Sequence, residues 1–501
     1  MNTFMDNLQN ISNYDLTENG ALTYFSTKNM VFDMFSLGGA YRNRSDEDCI
    51  LLFKNAFEEN AELALKCLFY LRDCRGGQGE RRFFRVCFKW LAQTYPEAAA
   101  RDLKQLPVYG RWDDILYTCI GTPIEASALE FIKEQLALDL ECKTPSLCAK
   151  WIPSENTSSR ESKRMAAIVR TYLQMSHKEY RKMLSTLRER IRVVERLMSA
   201  NRWTEIEFDR VPSKAGLIYR NAFARRDIIA KKYETFAKDK NTKVNADVLY
   251  PQEIARKAFK MRDCAEYDDP NRLMLQKYWD NLPNFYGDNE ENGIAVVDVS
   301  GSMIGVPMEA AVSMGAYIAE KAHGPFAGHF ITFSGHPELV KFEGVDIKDK
   351  FKRCVRADWG CNTDIEAVFD LLLSVAKKEN IKVEDMPQRI YIFSDMEFDE
   401  GLSELYYNHN THSFDHQYKT TDDINTLMES IAKEWEAEGY KLPSIVFWNL
   451  DARHNNIPAI GEGFSYVSGF SPVMIETILS GKDGIDLMYE KLNSERYKSI
   501  L

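Results

Sequence analysis

Asp298, Ser300 and Ser302 stand at alternate positions in the run Asp298-Val299-Ser300-Gly301-Ser302, on a loop that its glycine lets turn tightly. Further along, Thr363 follows Trp359-Gly360-Cys361-Asn362, and Asp395 follows Ser394. Brought together, these two carboxylates and three hydroxyls form a set of hard oxygen donors. Such a set suits Mg²⁺ first, with Mn²⁺ or Ca²⁺ as alternatives, rather than a soft metal. Neutral hydroxyl ligands leave a bound cation short of negative charge, so a carboxylate or phosphate from a partner would complete its shell favourably. Two plainer readings stand beside this one: Asp and Ser that only cap helices, and an intact fold whose site takes no ion. The sequence places no general base or nucleophile beside the five residues, so the chain is expected not to be an enzyme.

The second chemistry is cationic. Arg72, Arg75, Arg81 and Arg82 surround the turn Gly76-Gly77-Gln78-Gly79, whose amides could approach an anion closely. The turn lacks the Lys-Ser/Thr ending of a nucleotide-binding P-loop. It reads as readily as a helix connection whose arginines pair with Asp73 and Glu80. Arg160, Lys163, Arg164 and Arg170 recur at roughly helical spacings, and Lys214, Arg220, Arg225 and Arg226 follow a Pro-Ser turn. Tyr172, Tyr180, Trp203, Tyr219 and Phe223 interleave with them. They are stacking platforms for unpaired bases or, as helical spacing more often means, core. Between Arg160 and Asn245 there are 22 Lys and Arg against 10 Asp and Glu, a local +12 inside a chain of net −11 that leaves −23 elsewhere. That segment is a localised polyanion site or a set of solvated helix faces. Arg111-Trp112-Asp113-Asp114 reads as a helix start with carboxylates at the positive end of the dipole. His409, His412 and His416 have the spacing of metal ligands on one helix face, but they lie in a polar insertion, Glu397 to Thr421, and read as a solvated loop.

The elements that must position these groups follow two grammars. From about residue 45 to 280 apolar residues recur at spacings of 3 and 4, as in Ile50, Phe53 and Phe57, or Ala64, Leu68 and Leu71. Leu184, Leu187, Ile191, Val194 and Met198 keep that rhythm and predict one amphipathic helix of about four turns with a cationic outer face. Stacked helix pairs of irregular length are expected. Beyond the acidic linker at 288–293, short β-branched runs (294–299, 329–333, 389–393, 444–448) alternate with helical stretches (308–322, 365–379, 422–438). That alternation predicts a doubly wound α/β sheet, with the chemistry at the carboxyl ends of its strands. The division expected is an N-terminal extension (1–44), an α-helical domain (45–285) and an α/β domain (286–501). The chain has 501 residues, 45% of them hydrophobic and 28% charged, ordinary values for a globular protein of several cores. No apolar run reaches membrane-spanning length. The polar N-terminus shows no secretory leader, and the ten cysteines include no C-x-x-C pair, so a cytoplasmic protein with buried thiols is expected.

D-x-S-x-S after a first strand, a Thr in a Gly-x-Asn-Thr loop and a later Ser-Asp after a strand resemble the metal-ion-dependent adhesion site of a von Willebrand factor A domain. Asp298, Ser300, Ser302, Thr363 and Asp395 fill all five of its positions. The resemblance implies hydroxyls on the cation, aspartates acting directly or through water, and one position left for an acidic partner group. The helical half carries Leu71-Arg72-Asp73-Cys74-Arg75-Gly76-Gly77-Gln78-Gly79-Glu80-Arg81-Arg82 and Leu106-Pro107-Val108-Tyr109-Gly110-Arg111-Trp112-Asp113-Asp114. With a C-terminal A domain, these motifs resemble the Ro autoantigen and related TROVE-module proteins. Ala149-Lys150-Trp151-Ile152-Pro153-Ser154, Val211-Pro212-Ser213-Lys214 and Val467-Ser468-Gly469-Phe470-Ser471-Pro472 resemble still more closely an uncharacterised family sharing that architecture. The likeness implies HEAT-like helical repeats closed by the A domain, and binding of small or misfolded noncoding RNA. The alternative is a cation-dependent protein-interaction scaffold without RNA, in which the metal site captures a partner's Asp or Glu.

Overall fold

The computed structural model describes residues 13–262, 265–288, 290–333, 337–354, 363–399, 404–408, 413–417, 426–482 and 484–501. Between Met30 and Asp280 every regular element is a helix. Local chemistry starts several of them. Ser45 and Asp48 form a reciprocal capping box at helix Asp46–Glu59, and Ser176 with Glu179 does the same for His177–Arg190. The long helix expected through Met198 is instead two, His177–Arg190 and Val194–Ser199. Arg192 between them adopts φ 54°. No Gly or Pro announces that break. Arg188 is drawn instead to Ala149 O at 2.8 Å, Ile152 O at 2.7 Å and Ser154 Oγ at 2.6 Å, which ties the helix end to a neighbouring loop.

The C-terminal region is a mixed α/β sheet. Its strands are β3 (Gly293–Asp298), β4 (His329–Phe333), β5 (Glu338–Lys341), β6 (Arg389–Ser394), β9 (Ser444–Asn449) and β10 (Phe464–Ser468). They lie in the order β10-β9-β6-β3-β4-β5. All pairs are parallel except β4–β5. Every residue of β3 and β6 is buried, so both sheet faces are covered, as their unbroken apolar runs require. Within the insertion read as a solvated loop, Glu404–Asn408 (β7) and Ser413–Gln417 (β8) pair as an antiparallel hairpin. His409 and His412 lie outside the described residues, and His416 is in β8.

Both termini lace the halves together. A hairpin of β1 (Tyr14–Leu16) and β2 (Leu22–Tyr24) lies against the α/β region, with Tyr24 and Ile457 exchanging two backbone hydrogen bonds of 3.0 Å. Gly39 packs on the end of β10, where a Cβ would stand 2.8 Å from Ser468 O. The C-terminal Tyr497 returns to the helical half. Its ring stacks 5.6 Å from Tyr109 and its hydroxyl donates to Asp73 Oδ2 at 3.1 Å. One buried apolar cluster runs through both regions. Cys67, Cys87 and Cys119 are free, buried thiols within it. Among the described residues, no helix is long and apolar enough to cross a membrane.

Candidate functional site

The carboxyl ends of β3 and β6 adjoin at the centre of the sheet, where successive strands depart in opposite directions. Such a switch point leaves a crevice. Asp298 ends β3 and is fully buried. Its Oδ1 accepts the Ser300 N–H at 2.9 Å and its Oδ2 the Ser394 hydroxyl at 2.6 Å. The Ser300 and Ser302 hydroxyls lie 3.0 Å apart, and Ser302 is exposed, which opens the group to solvent. Asp395 is 1% exposed; it accepts the Glu397 N–H at 3.2 Å and Arg453 Nη2 at 3.0 Å. Burial, and after it the charge of Asp395, push the Asp298 carboxyl up to about 7. Two buried carboxylates thus face each other with their charge only partly met by Arg453. This donor set fits a small hard divalent cation, whose charge would relieve that repulsion.

Thr363 joins this group through the next turn of chain. Its hydroxyl donates to Glu397 O at 2.9 Å and to Asp399 Oδ1 at 2.7 Å, and accepts from Asn19 Nδ2 at 2.7 Å. The structure therefore brings Asp298, Ser300, Ser302 and Asp395 into direct hydrogen-bonded or charge contact, while Thr363 is bonded to Glu397 and Asp399 of the segment after Asp395. Several members of the site were not anticipated. Glu18 donates its N–H to Glu397 Oε2 at 2.7 Å, and its carboxylate meets Arg453. Glu397, placed in the polar insertion by the sequence reading, is fully buried and accepts from His454 Nδ1 at 2.9 Å. The acidic run Asp395, Glu397, Asp399 directly after β6 was the available signal, although the chain turns at Met396, whose φ is 65°.

The cationic residues separate into three groups. Arg72, Arg75, Arg81, Arg82 and Lys214, far apart in sequence, line one cavity of about 1370 Å³ together with Arg42, Arg111, Lys150, Arg188 and Arg196; two glutamates, Glu80 and Glu195, oppose these ten cations. Arg160, Lys163, Arg164, Arg225 and Arg226 are exposed and line no part of it. Arg220 is a correction: it is 7% exposed and bonds Leu217 O at 2.9 Å, so it faces the interior rather than a phosphate. Arg72 reaches the wall, but its charge is spent on the buried Asp114 at 2.7 Å. Asp114 also accepts the Arg111 N–H at 2.8 Å, which starts helix Trp112–Cys119 as the Asp-Asp pair suggested.

The glycine-rich turn does not cradle an anion. Gln78, Gly79 and Glu80 donate their amides to Tyr70 O, Asp73 O and Leu71 O. Nor do its neighbours pair as expected, since Asp73 meets Arg496 and Glu80 meets Arg42. Among the described residues, Arg81 is left without a carboxylate. Loss of hydration in the concave wall, and then the charges of Arg111 and Arg85, hold its guanidinium below the ordinary range. Of the interleaved aromatics, Tyr180, Trp203 and Phe223 are core residues. The cavity has its own: Trp112, Trp151, Tyr250 and Phe470, with Arg42 lying 3.4 Å over the Phe470 ring.

Two family models match the chain, each described as a domain of unknown function. One (DUF2828) covers residues 17–120 and 146–285. The other (DUF7788) covers residues 292–499. The two meet where helices give way to β3, and the interval within the first holds helix Glu125–Glu141. Uncharacterized protein L728 of Acanthamoeba polyphaga mimivirus is 28% identical over 518 residues, spanning 94% of this chain and 86% of that protein.

Proposed function

We propose that the chain is a Ro-like binding protein for small noncoding RNA, holding an unpaired stretch in the cationic cavity. The observation that carries this reading is the cavity wall itself: of its ten cations, Arg75, Arg81, Lys150 and Arg188 meet no carboxylate among the described residues, and Arg81 is held below its ordinary range by burial and then by its cationic neighbours. Concentrating like charge in a concave wall is unfavourable unless an anion neutralises it. A cavity of this volume admits a few nucleotides and no duplex. The aromatic residues in its wall suit unpaired bases, which stack on aromatic rings. The α/β region is, in the same proposal, a von Willebrand factor A-like domain. Its strand order and the Asp298, Ser300, Ser302, Thr363 and Asp395 group support a Mg²⁺ site that captures an acidic group of a protein partner.

The test is binding of a small structured RNA with an unpaired tail, measured over a range of salt. Affinity is expected to fall steeply as salt rises. Charge reversal at two lining arginines that meet no carboxylate among the described residues, Arg75→Glu with Arg81→Glu, is expected to weaken binding at least tenfold. It should also flatten the salt dependence by roughly one per lost phosphate contact. Equal affinity in the double variant would overturn the assignment of the cavity. A protein that binds no RNA, yet retains polypeptides that chelator releases, would favour the cation-dependent scaffold.

A further inference from the structure

A second cavity, of about 560 Å³, adjoins the first, and Lys150, Trp151 and Arg188 belong to both walls. Its volume falls within the roughly 300–1,000 Å³ that small-molecule pockets occupy. It is built from the loop after helix Cys148–Trp151 and the first turn of helix Arg160–Tyr172. Arg188 fixes that loop by bonding Ile152 O and Ser154 Oγ, and ties it to the preceding helix at Ala149 O, so the pocket has its shape before any ligand arrives.

What remains in the wall is polar and unspent. Among the described residues, the side chains of Asn156, Thr157, Ser158 and Ser162 meet no partner within the chain. Lys150 meets no carboxylate among the described residues; its ammonium lies 5.3 Å from the Trp151 ring centroid. The one carboxylate in the described lining, Asp113, is already met by Arg85 at 3.0 Å and by Arg111 Nε at 2.9 Å. Arg111 also covers one face of Trp151, 4.1 Å from its centroid. Free hydroxyls and an amide suit the hydroxyls and phosphate oxygens of a sugar phosphate. An unneutralised ammonium selects for the phosphate over a neutral sugar. Trp151 adds an aromatic surface for a base.

We propose that this side pocket binds a single nucleotide, with Lys150, Thr157 and Ser158 on the phosphate and Trp151 beside the base. The inference rests on the RNA reading only for one source of the ligand, a residue of a bound RNA chain; a free nucleotide carries the same chemistry. The test is calorimetric titration of the full chain with UMP and AMP, and with ribose and inorganic phosphate separately. Both nucleotides are expected to bind, and ribose to bind at least tenfold more weakly. Lys150→Glu, and independently Thr157→Val with Ser158→Ala, should each lower nucleotide affinity at least tenfold; the second pair alters no charge and keeps the pocket testable if the first fails to fold. Competition by an oligoribonucleotide identifies the bound nucleotide as part of an RNA chain. Nucleotide binding without such competition identifies a free nucleotide as the ligand, and the pocket stands even if the cavity binds no RNA. Absence of nucleotide binding at millimolar concentration, or equal binding by the pocket variants, would overturn the proposal whatever RNA does.

Discussion

Asp298 shows how a single residue sets the chemistry of the crevice. An ordinary carboxyl releases its proton near 4. Inside this fold, burial and the neighbouring Asp395 raise Asp298 to about 7. The unfolded chain therefore gives up this proton at lower pH than the folded one. Its contribution to stability is fully present below pH 4, and without a cation it declines as pH rises towards 7. Asp298→Asn is expected to flatten the fall in thermal stability between pH 5 and pH 8 measured in chelator. It should also abolish stabilisation by added Mg²⁺, because the carboxylate that would meet the ion is gone. An equal Mg²⁺-dependent rise in the variant would place the cation elsewhere. Much of this group was legible in the sequence, because a short loop fixes Asp298, Ser300 and Ser302 locally. Arg453, Glu18 and Asn19 were not, because they arrive from distant segments whose spacing carries no trace of the contact.

At the scale of elements, legibility followed burial. The central strands β3, β6 and β9 are buried on both faces and announce themselves as β-branched and aromatic runs. The edge strand β5 is Glu338-Leu339-Val340-Lys341, mostly exposed, and has too little apolar pattern to read. The other edge, β10, is flanked by Gly463 and Gly469 at positive φ, which read as loop. The helix broken at Arg192 failed differently. Its apolar rhythm continues across the break, and a tertiary contact interrupts it: Arg188 bonds three acceptors of the 149–154 segment. Charge-assisted bonds of this kind contribute about 1.5–3 kcal/mol each in favourable settings. Arg188→Met keeps the apolar stem and removes all three. It is expected to speed amide exchange through residues 149–158 while leaving the sheet strands protected. Unchanged exchange in that loop would mean that the packing of Ile152 and Tyr180 holds it without the guanidinium.

Across the whole molecule, the sequence suggests a helical half and an α/β half in series, but the contacts make them interdependent. The N-terminal hairpin sits on the α/β region beside Thr363 and Glu397, while the C-terminal residues close on the helices around Asp73. The cavity wall depends on that closure, since Phe470 comes from the α/β half and lies under Arg42 of the helical half. Tyr497 is the sharpest test of it. It is fully buried, stacks on Tyr109, meets Tyr70 edge-on at 6.2 Å and bonds Asp73. Removing a buried aromatic ring costs about 3–5 kcal/mol, and here the loss falls on a contact between halves. Tyr497→Ala is therefore expected to lower the midpoint of a single unfolding transition in which helix content and the environment of the sheet tryptophan Trp448 change together. Its cavity should also lose affinity for whatever anion it holds, although no lining residue is altered. If helix content and Trp448 instead report separate transitions already in the wild-type chain, the halves are independent units, and the cavity owes its shape to the helices alone.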